Sequence, residues 1–168
     1  RKGAPRTMII YKDVFSGDEL FSDSFPMEEV DGVVYQVTGK YITITDGVEG
    51  LPTGDDEELD DASRTVIDVV EAARLQPTGF DKKSYMIYIK NYMKRVLVHL
   101  GENHPDQVDE FKSKVQSFVK KVIGKFKEYE FYMGESFDPE ASIVLLAYPD
   151  GQTPTFYFFK HGLEERRV

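Results

Sequence analysis

A chain of 168 residues with 40% apolar content is long enough for one domain around one core, since a domain this size buries about 70% of the surface its unfolded chain exposes. It has no cysteine, which removes disulfides, thiol nucleophiles and zinc–thiolate sites together and suits a reducing compartment such as the cytoplasm. The net charge of −9 is divided unevenly: residues 1–61 hold 15 acidic and 5 basic residues, while residues 81–127 hold 11 basic and 5 acidic.

Residues 1–7 carry charge with no apolar run behind them, and Met8 opens the first β-prone segment, Met8-Ile9-Ile10-Tyr11. Residues 1–7 therefore read as an N-terminal extension and 8–168 as a single domain. The turn-rich Ser16-Gly17-Asp18 follows. Val33–Thr38 and Tyr41–Thr45 are two β-rich runs separated by Gly39-Lys40, which predicts a hairpin. In the second run Tyr41, Thr43 and Thr45 alternate with Ile42 and Ile44, the pattern of a half-buried antiparallel strand.

Residues 46–63 combine glycines and a proline with Asp55-Asp56-Glu57-Glu58 and Asp60-Asp61. Low hydrophobicity with clustered like charge does not repay the entropy of ordering, so a mobile acidic loop is predicted. Thr65–Val70 is β-branched and predicts a strand, with Glu71–Leu75 leaning helical.

A helical hairpin is predicted over 81–126. Tyr85, Ile89, Tyr92, Met93, Val96, Leu97 and Leu100 recur at three- and four-residue steps, and Lys83, Lys90 and Lys94 lie on another face. Gly101 stands where a C-terminal cap is expected, and Pro105 opens the second helix. There Val108, Phe111, Val115, Phe118, Val122 and Phe126 form the apolar stripe, with Lys112, Lys114, Lys120, Lys121 and Lys125 on the exposed side. The tail returns to β over Phe131–Met133, Ser142–Tyr148 and Thr155–Phe159, with a turn at Pro149-Asp150-Gly151. Strands bracketing a helical pair make an α+β domain built on a mostly antiparallel sheet.

No nucleophile elbow, phosphate loop, dinucleotide fingerprint or HExxH motif is present, so no enzymatic activity is expected. His99 and His104 are five apart, the wrong offset for shared metal ligation on one helical face. The carboxylates Asp55, Asp56, Glu57 and Glu58 are candidate oxygen ligands for calcium, held weakly because they lack the EF-hand spacing. No window approaches 18 consecutive apolar residues, so no membrane partner is expected. The basic stripe lacks base-stacking aromatics, so no nucleic-acid partner is expected either. Eleven bases against five acids across the hairpin point to an acidic protein partner, because helix faces ordinarily mix signs for i,i+4 pairing.

The stretch Phe126-Lys-Glu-Tyr-Glu-Phe131-Tyr132-Met133-Gly134-Glu135, continuing through Glu140-Ala141-Ser142-Ile143-Val144 to Tyr148, resembles the C-terminal signature of the translationally controlled tumour protein (TCTP) family. Met8–Asp13, Gly17–Asp23, Tyr88–Lys94 and Phe158-Phe159-Lys160-x-Gly162-Leu163-Glu164 are similar to that family too, so the resemblance spans 8–168. It implies a β-tent-like core with a projecting helical hairpin and a mobile acidic loop. It further implies calcium as a ligand, tubulin and microtubules as partners, roles in growth and survival, and, as an alternative, nucleotide exchange on a Ras-like small GTPase. Glu19 matches the position the family associates with the GTPase contact, and Glu135 closes the C-terminal signature; both are candidate partner-binding residues, with Lys83, Lys90, Lys94, Lys112, Lys120 and Lys121. Many members end in a cysteine that links dimers; with none here, no disulfide-linked dimer is expected. Pro26 in the Ser22–Gly32 segment opposes a helical apoptosis-related motif reported in animal members.

Overall fold

The computed structural model describes residues 7–45 and 63–168. In chain order these form β1 (Ile9–Asp13), β2 (Glu19–Ser22), β3 (Met27–Val30), β4 (Val34–Thr38), β5 (Tyr41–Thr45), β6 (Ser63–Ile67), α1 (Asp68–Ala73) and β7 (Gln76–Thr78). Then come α2 (Lys82–Asn103), a 3₁₀ turn at Pro105–Gln107, α3 (Val108–Gly124), β8 (Glu130–Met133), β9 (Val144–Ala147), β10 (Thr155–Phe159) and β11 (Leu163–Arg167). All the paired strands described are antiparallel.

Among the described residues the strands make a six-stranded sheet in the order β3-β4-β10-β9-β8-β7, a three-stranded sheet β11-β1-β2 and a two-stranded ribbon β5-β6. Strand alternation splits the core in two. Phe131, Leu145 and Phe159 project from one face of the large sheet into a cluster with Tyr85, Tyr92, Phe111 and Phe118 of the helical hairpin. Leu146, Phe156 and Phe158 project from the other face against Tyr11, Phe21 and Val69 of the small sheet and α1. The sheet is thus covered on both sides, by the hairpin and by a smaller β layer. This is the expected α+β architecture.

The hairpin expected at Gly39-Lys40 does not form. β4 is already paired on both edges, with β3 on one side and β10 on the other, so β5 has no ladder to join there. The chain instead turns away. The Gly39 N–H donates to the Pro154 carbonyl (2.8 Å), the Lys40 N–H donates to the Asp68 carboxylate (2.9 Å), and β5 pairs with β6. The strand expected over Thr65–Val70 stops at Ile67, because the same Asp68 carboxylate also accepts from the Val69 N–H and α1 begins.

α2 opens on a capping box: the Asp81 carboxylate accepts from the Ser84 N–H (2.8 Å) and the Ser84 hydroxyl from the Asp81 N–H (3.1 Å). It runs through Gly101 rather than ending there. A mid-helix glycine costs only about 1 kcal/mol, whereas Pro105 bars His104 from helical dihedrals, and His104 is where the helix stops. The strand expected from Ser142 begins at Val144. The preceding amides are taken by side chains: Ser142 N–H donates to Asp13 (2.7 Å) and Ile143 N–H to the Tyr88 hydroxyl (3.0 Å). Most of the predicted acidic loop, including Asp55, Asp56, Glu57 and Glu58, lies outside the described residues.

Candidate functional site

The β1–β2 turn is organised by one buried carboxylate. Asp13, 2% exposed, accepts from the N–H groups of Phe15 (2.8 Å), Ser16 (3.3 Å) and, across the molecule, Ser142. Burial raises its carboxyl above the usual range even though these three N–H donors pull it down. Gly17, at φ +80°, closes the turn in the left-handed region that glycine enters without steric cost. The turn delivers Asp18, whose carboxylate accepts from both the N–H (3.2 Å) and the hydroxyl (2.7 Å) of Ser136.

That bond joins two segments far apart in sequence and brings Glu19 and Glu135 onto one edge of the molecule. Glu19 is exposed at the start of β2. It borders a shallow groove of about 160 Å³ shared with Met8, Phe21, Phe25 and the Ala72-Ala73 end of α1. Glu135 pairs with Arg74 at 3.1 Å, and Arg74 itself sits in the left-handed region at φ 55° where α1 ends. Both partners of the pair are more than half exposed, so the bridge adds little stability. Its effect is to hold the Glu135 carboxylate against the C-terminal end of α1.

The second charged surface is the helical hairpin. Tyr85, Tyr88, Tyr92, Val96 and Leu100 of α2 face inward. Lys83, Lys90 and Lys94 are exposed within an arc of about 40° at 100° per residue. Lys112 and Lys120 are exposed on α3; Lys121 is exposed on a different flank, where it pairs with Asp31 at 2.8 Å. Among the described residues Lys83, Lys90, Lys94, Lys112 and Lys120 have no carboxylate within ion-pair distance. Among the described residues, too, no three His, Asp or Glu side chains converge in a way that could hold a metal ion, and no helix is long and apolar enough to cross a membrane.

The family model for translationally controlled tumour protein matches residues 8–164. The chain belongs to the TCTP family. The TCTP homolog of Candida albicans is 47% identical, with 96% of this chain and 100% of that protein covered. The homolog of Schizosaccharomyces pombe is 45% identical over 93% of this chain and 97% of that protein. Among solved structures, the S. pombe tumor-associated protein p23fyp superposes with a TM-score of 0.83 at 44% identity, covering 95% of this chain and 99% of that one. TCTP from Caenorhabditis elegans gives 0.68 at 32% identity, covering 95% and 98%. Within this fold the hairpin lysines stand on α2 and α3, whereas Glu19 starts β2 and Glu135 follows β8.

Three parts of these surfaces were not singled out in the sequence reading. Asp13, Tyr88 and Ser136 do the joining, and their partners lie 129, 53 and 118 residues away along the chain. An isolated aspartate in a β-prone run carries no local mark of such a role. Arg74 had a faint signal, as the basic residue closing the only short helical stretch before the hairpin.

Proposed function

We propose that this TCTP-family chain is a cytoplasmic, non-enzymatic interaction protein whose basic helical hairpin receives an acidic partner. The observation that carries this reading is the set of five exposed hairpin lysines that have no carboxylate partner among the described residues. Tubulin, the partner the family resemblance suggests, presents acidic tails. Contacts of this kind are fast, long-ranged and screened beyond a Debye length of about 8 Å. Single Lys→Ala changes are expected to be nearly silent, because each exposed charge contributes little alone. Reversing Lys90, Lys94 and Lys120 together to Glu is expected to weaken microtubule co-sedimentation severalfold while circular dichroism stays native. Binding that survives both the triple reversal and a salt increase from about 50 to 300 mM rejects the reading.

A second reading is regulation of a Ras-like small GTPase through Glu19 and Glu135, favoured by the Asp18–Ser136 bond that brings the two acids to one edge. Glu19 is exposed and starts a strand, so Glu19→Val is expected to melt within about 0.5 kcal/mol of the parent. It is expected to lose GTPase binding in a nucleotide-release assay across a panel of small GTPases. A large drop in melting temperature makes Glu19 structural instead. Calcium enters this proposal as a weak ligand of Asp55, Asp56, Glu57 and Glu58.

A further inference from the structure

Where the C-terminal end of α2 meets β11, a cleft of about 450 Å³ opens, bordered among others by Tyr11, Tyr35, His104, His161, Glu164 and Glu165. Three independent features give it a defined chemistry.

The first is a buried histidine. His161 is 4% exposed, forms part of the cleft wall, and has no hydrogen-bond partner for either ring nitrogen among the described residues. Its ring rests edge-on against Phe111 with centroids 5.0 Å apart. Burial, and secondarily the Lys160 charge, lowers its pKa to about 4, so at neutral pH it offers one N–H and one bare nitrogen without charge. Native folds seldom leave such a group unpaired.

The second is the sign of the field. Glu164 and Glu165 lie on the rim, and the carbonyl end of the 22-residue α2 points here with no basic residue in its last turn. Burial, and after it neighbouring charges that include Glu165, holds the Tyr11 and Tyr35 phenols above their usual range, Tyr35 at about 12. Lys160 also borders the cleft, but its ammonium is paired with Glu29 at 3.1 Å. The cleft therefore favours a cation between aromatic walls.

The third is a strand edge. Leu163, Glu164 and Glu165 are consecutive in β11, and all three border the cleft. Side chains of a strand alternate between faces, so three in a row meet one cleft only along the strand's edge. β11 pairs with β1 on one side and, among the described residues, with no strand on the other. Its outward N–H and C=O groups are a template for another chain.

We propose that this cleft is a docking slot for an extended segment of a partner protein, which adds a strand to the free edge of β11 and sets an arginine or lysine against Glu165, on the face it shares with Tyr11, and Tyr35. Main-chain hydrogen bonds to β11 supply affinity and the charged pocket supplies selectivity. The slot lies on the opposite edge of the three-stranded sheet from β2 and Glu19, so both edges can be engaged at once.

The test uses the full ¹⁵N-labelled chain and the capped hexapeptide Ac-Val-Thr-Arg-Val-Thr-Val-NH₂, the same peptide with citrulline for arginine, and ethylguanidinium alone. The arginine peptide is expected to shift the Leu163, Glu164 and Glu165 amides saturably and to slow their hydrogen exchange. The variant Glu165→Gln, whose parent side chain is exposed, is expected to keep a native spectrum and bind about fivefold or more weakly, as is the citrulline peptide. His161→Phe, which keeps the ring but removes its nitrogens, is expected to weaken binding as well. Equal affinity for the citrulline peptide, or shifts that avoid β11, overturns the proposal. Binding of ethylguanidinium as tight as that of the peptide overturns it too, making the cleft a free-cation pocket.

Discussion

The sharpest test of the packing beneath the β1–β2 turn is a pair of single-oxygen deletions, Tyr88→Phe and Tyr85→Phe. Both rings are buried in the same cluster, and their centroids are 5.9 Å apart. The Tyr88 hydroxyl donates to the Ala141 carbonyl (2.7 Å) and accepts from the Ile143 N–H (3.0 Å). The Tyr85 hydroxyl is buried with no partner among the described residues. Removing the first oxygen strands two buried backbone groups, each worth about 1–3 kcal/mol when unpaired. The variant no longer has to desolvate a hydroxyl, which offsets part of that loss. The net expectation for Tyr88→Phe is a loss of about 2–3 kcal/mol, or about 4–12 °C in Tm for a domain of this size. Removing the second oxygen relieves a desolvated, unpaired group, so Tyr85→Phe is expected to be neutral or stabilising by about 1 kcal/mol. Urea unfolding followed by circular dichroism, with unchanged m-values, measures both. A Tyr88→Phe variant that unfolds within about 0.5 kcal/mol of the parent, or two variants that lose stability alike, would contradict this assignment of the two hydroxyls.

Other outcomes are as definite. His161 has its pKa depressed by burial, so its contribution to stability is present above the unfolded value of about 6.5 and is lost as pH falls toward about 4; His161→Phe is expected to flatten that part of the stability–pH profile, and an unchanged profile refutes it. A Cβ at Gly134 would sit 2.9 Å from the Asp18 side-chain carbons. Gly134→Ala is therefore expected to cost about 1–3 kcal/mol and to shift the Glu19 and Glu135 amides; a native spectrum and melt contradict it. Calcium titrated into the chain is expected to bind with a dissociation constant of about 10⁻⁴–10⁻³ M and to shift acidic residues. Shifts confined to the hairpin count against Asp55–Glu58 as ligands, and sub-micromolar affinity means a preformed cage.

The parts of the fold that were legible in the sequence are those whose signals are local. The helical pair was legible because Tyr85 through Leu100 and Phe111 through Val122 repeat with helical spacing over many turns. β10, with four buried residues in Thr155–Phe159, was legible as an apolar run. β3 (MEEV) and β11 (LEERR) were not, because edge strands tolerate charges and show no apolar alternation. The false hairpin at Gly39-Lys40 had good local chemistry and failed on a non-local fact, the occupation of both β4 edges by β3 and β10. The candidate sites divide the same way. Exposed hairpin lysines follow from periodicity alone. The link between the Glu19 and Glu135 segments rests on the bonds from Ser136 to the Asp18 carboxylate, and nothing near either residue in the sequence announces it.

The pairing of β1 with β11 has a consequence for how the molecule comes into being. Ile9 lies opposite Arg167 and Asp13 opposite Leu163, so one of the first strands to leave the ribosome has its partner among the last. β4 waits in the same way for β10. The helical hairpin is local and can form while synthesis continues, but neither large β surface can close until the final strands arrive. During that interval Tyr11, Val34 and Val37, all buried in the finished fold, lack the part of their cover that β10 and β11 supply. Pairings of such long sequence separation close slowly because loop entropy must be lost before contacts repay it. Among the described strands, closure of both sheets thus waits on β10 and β11, and a nascent chain stalled before β10 holds β1 with β2, β3 with β4 and β7 with β8 and β9 as separate pieces beside a finished pair of helices.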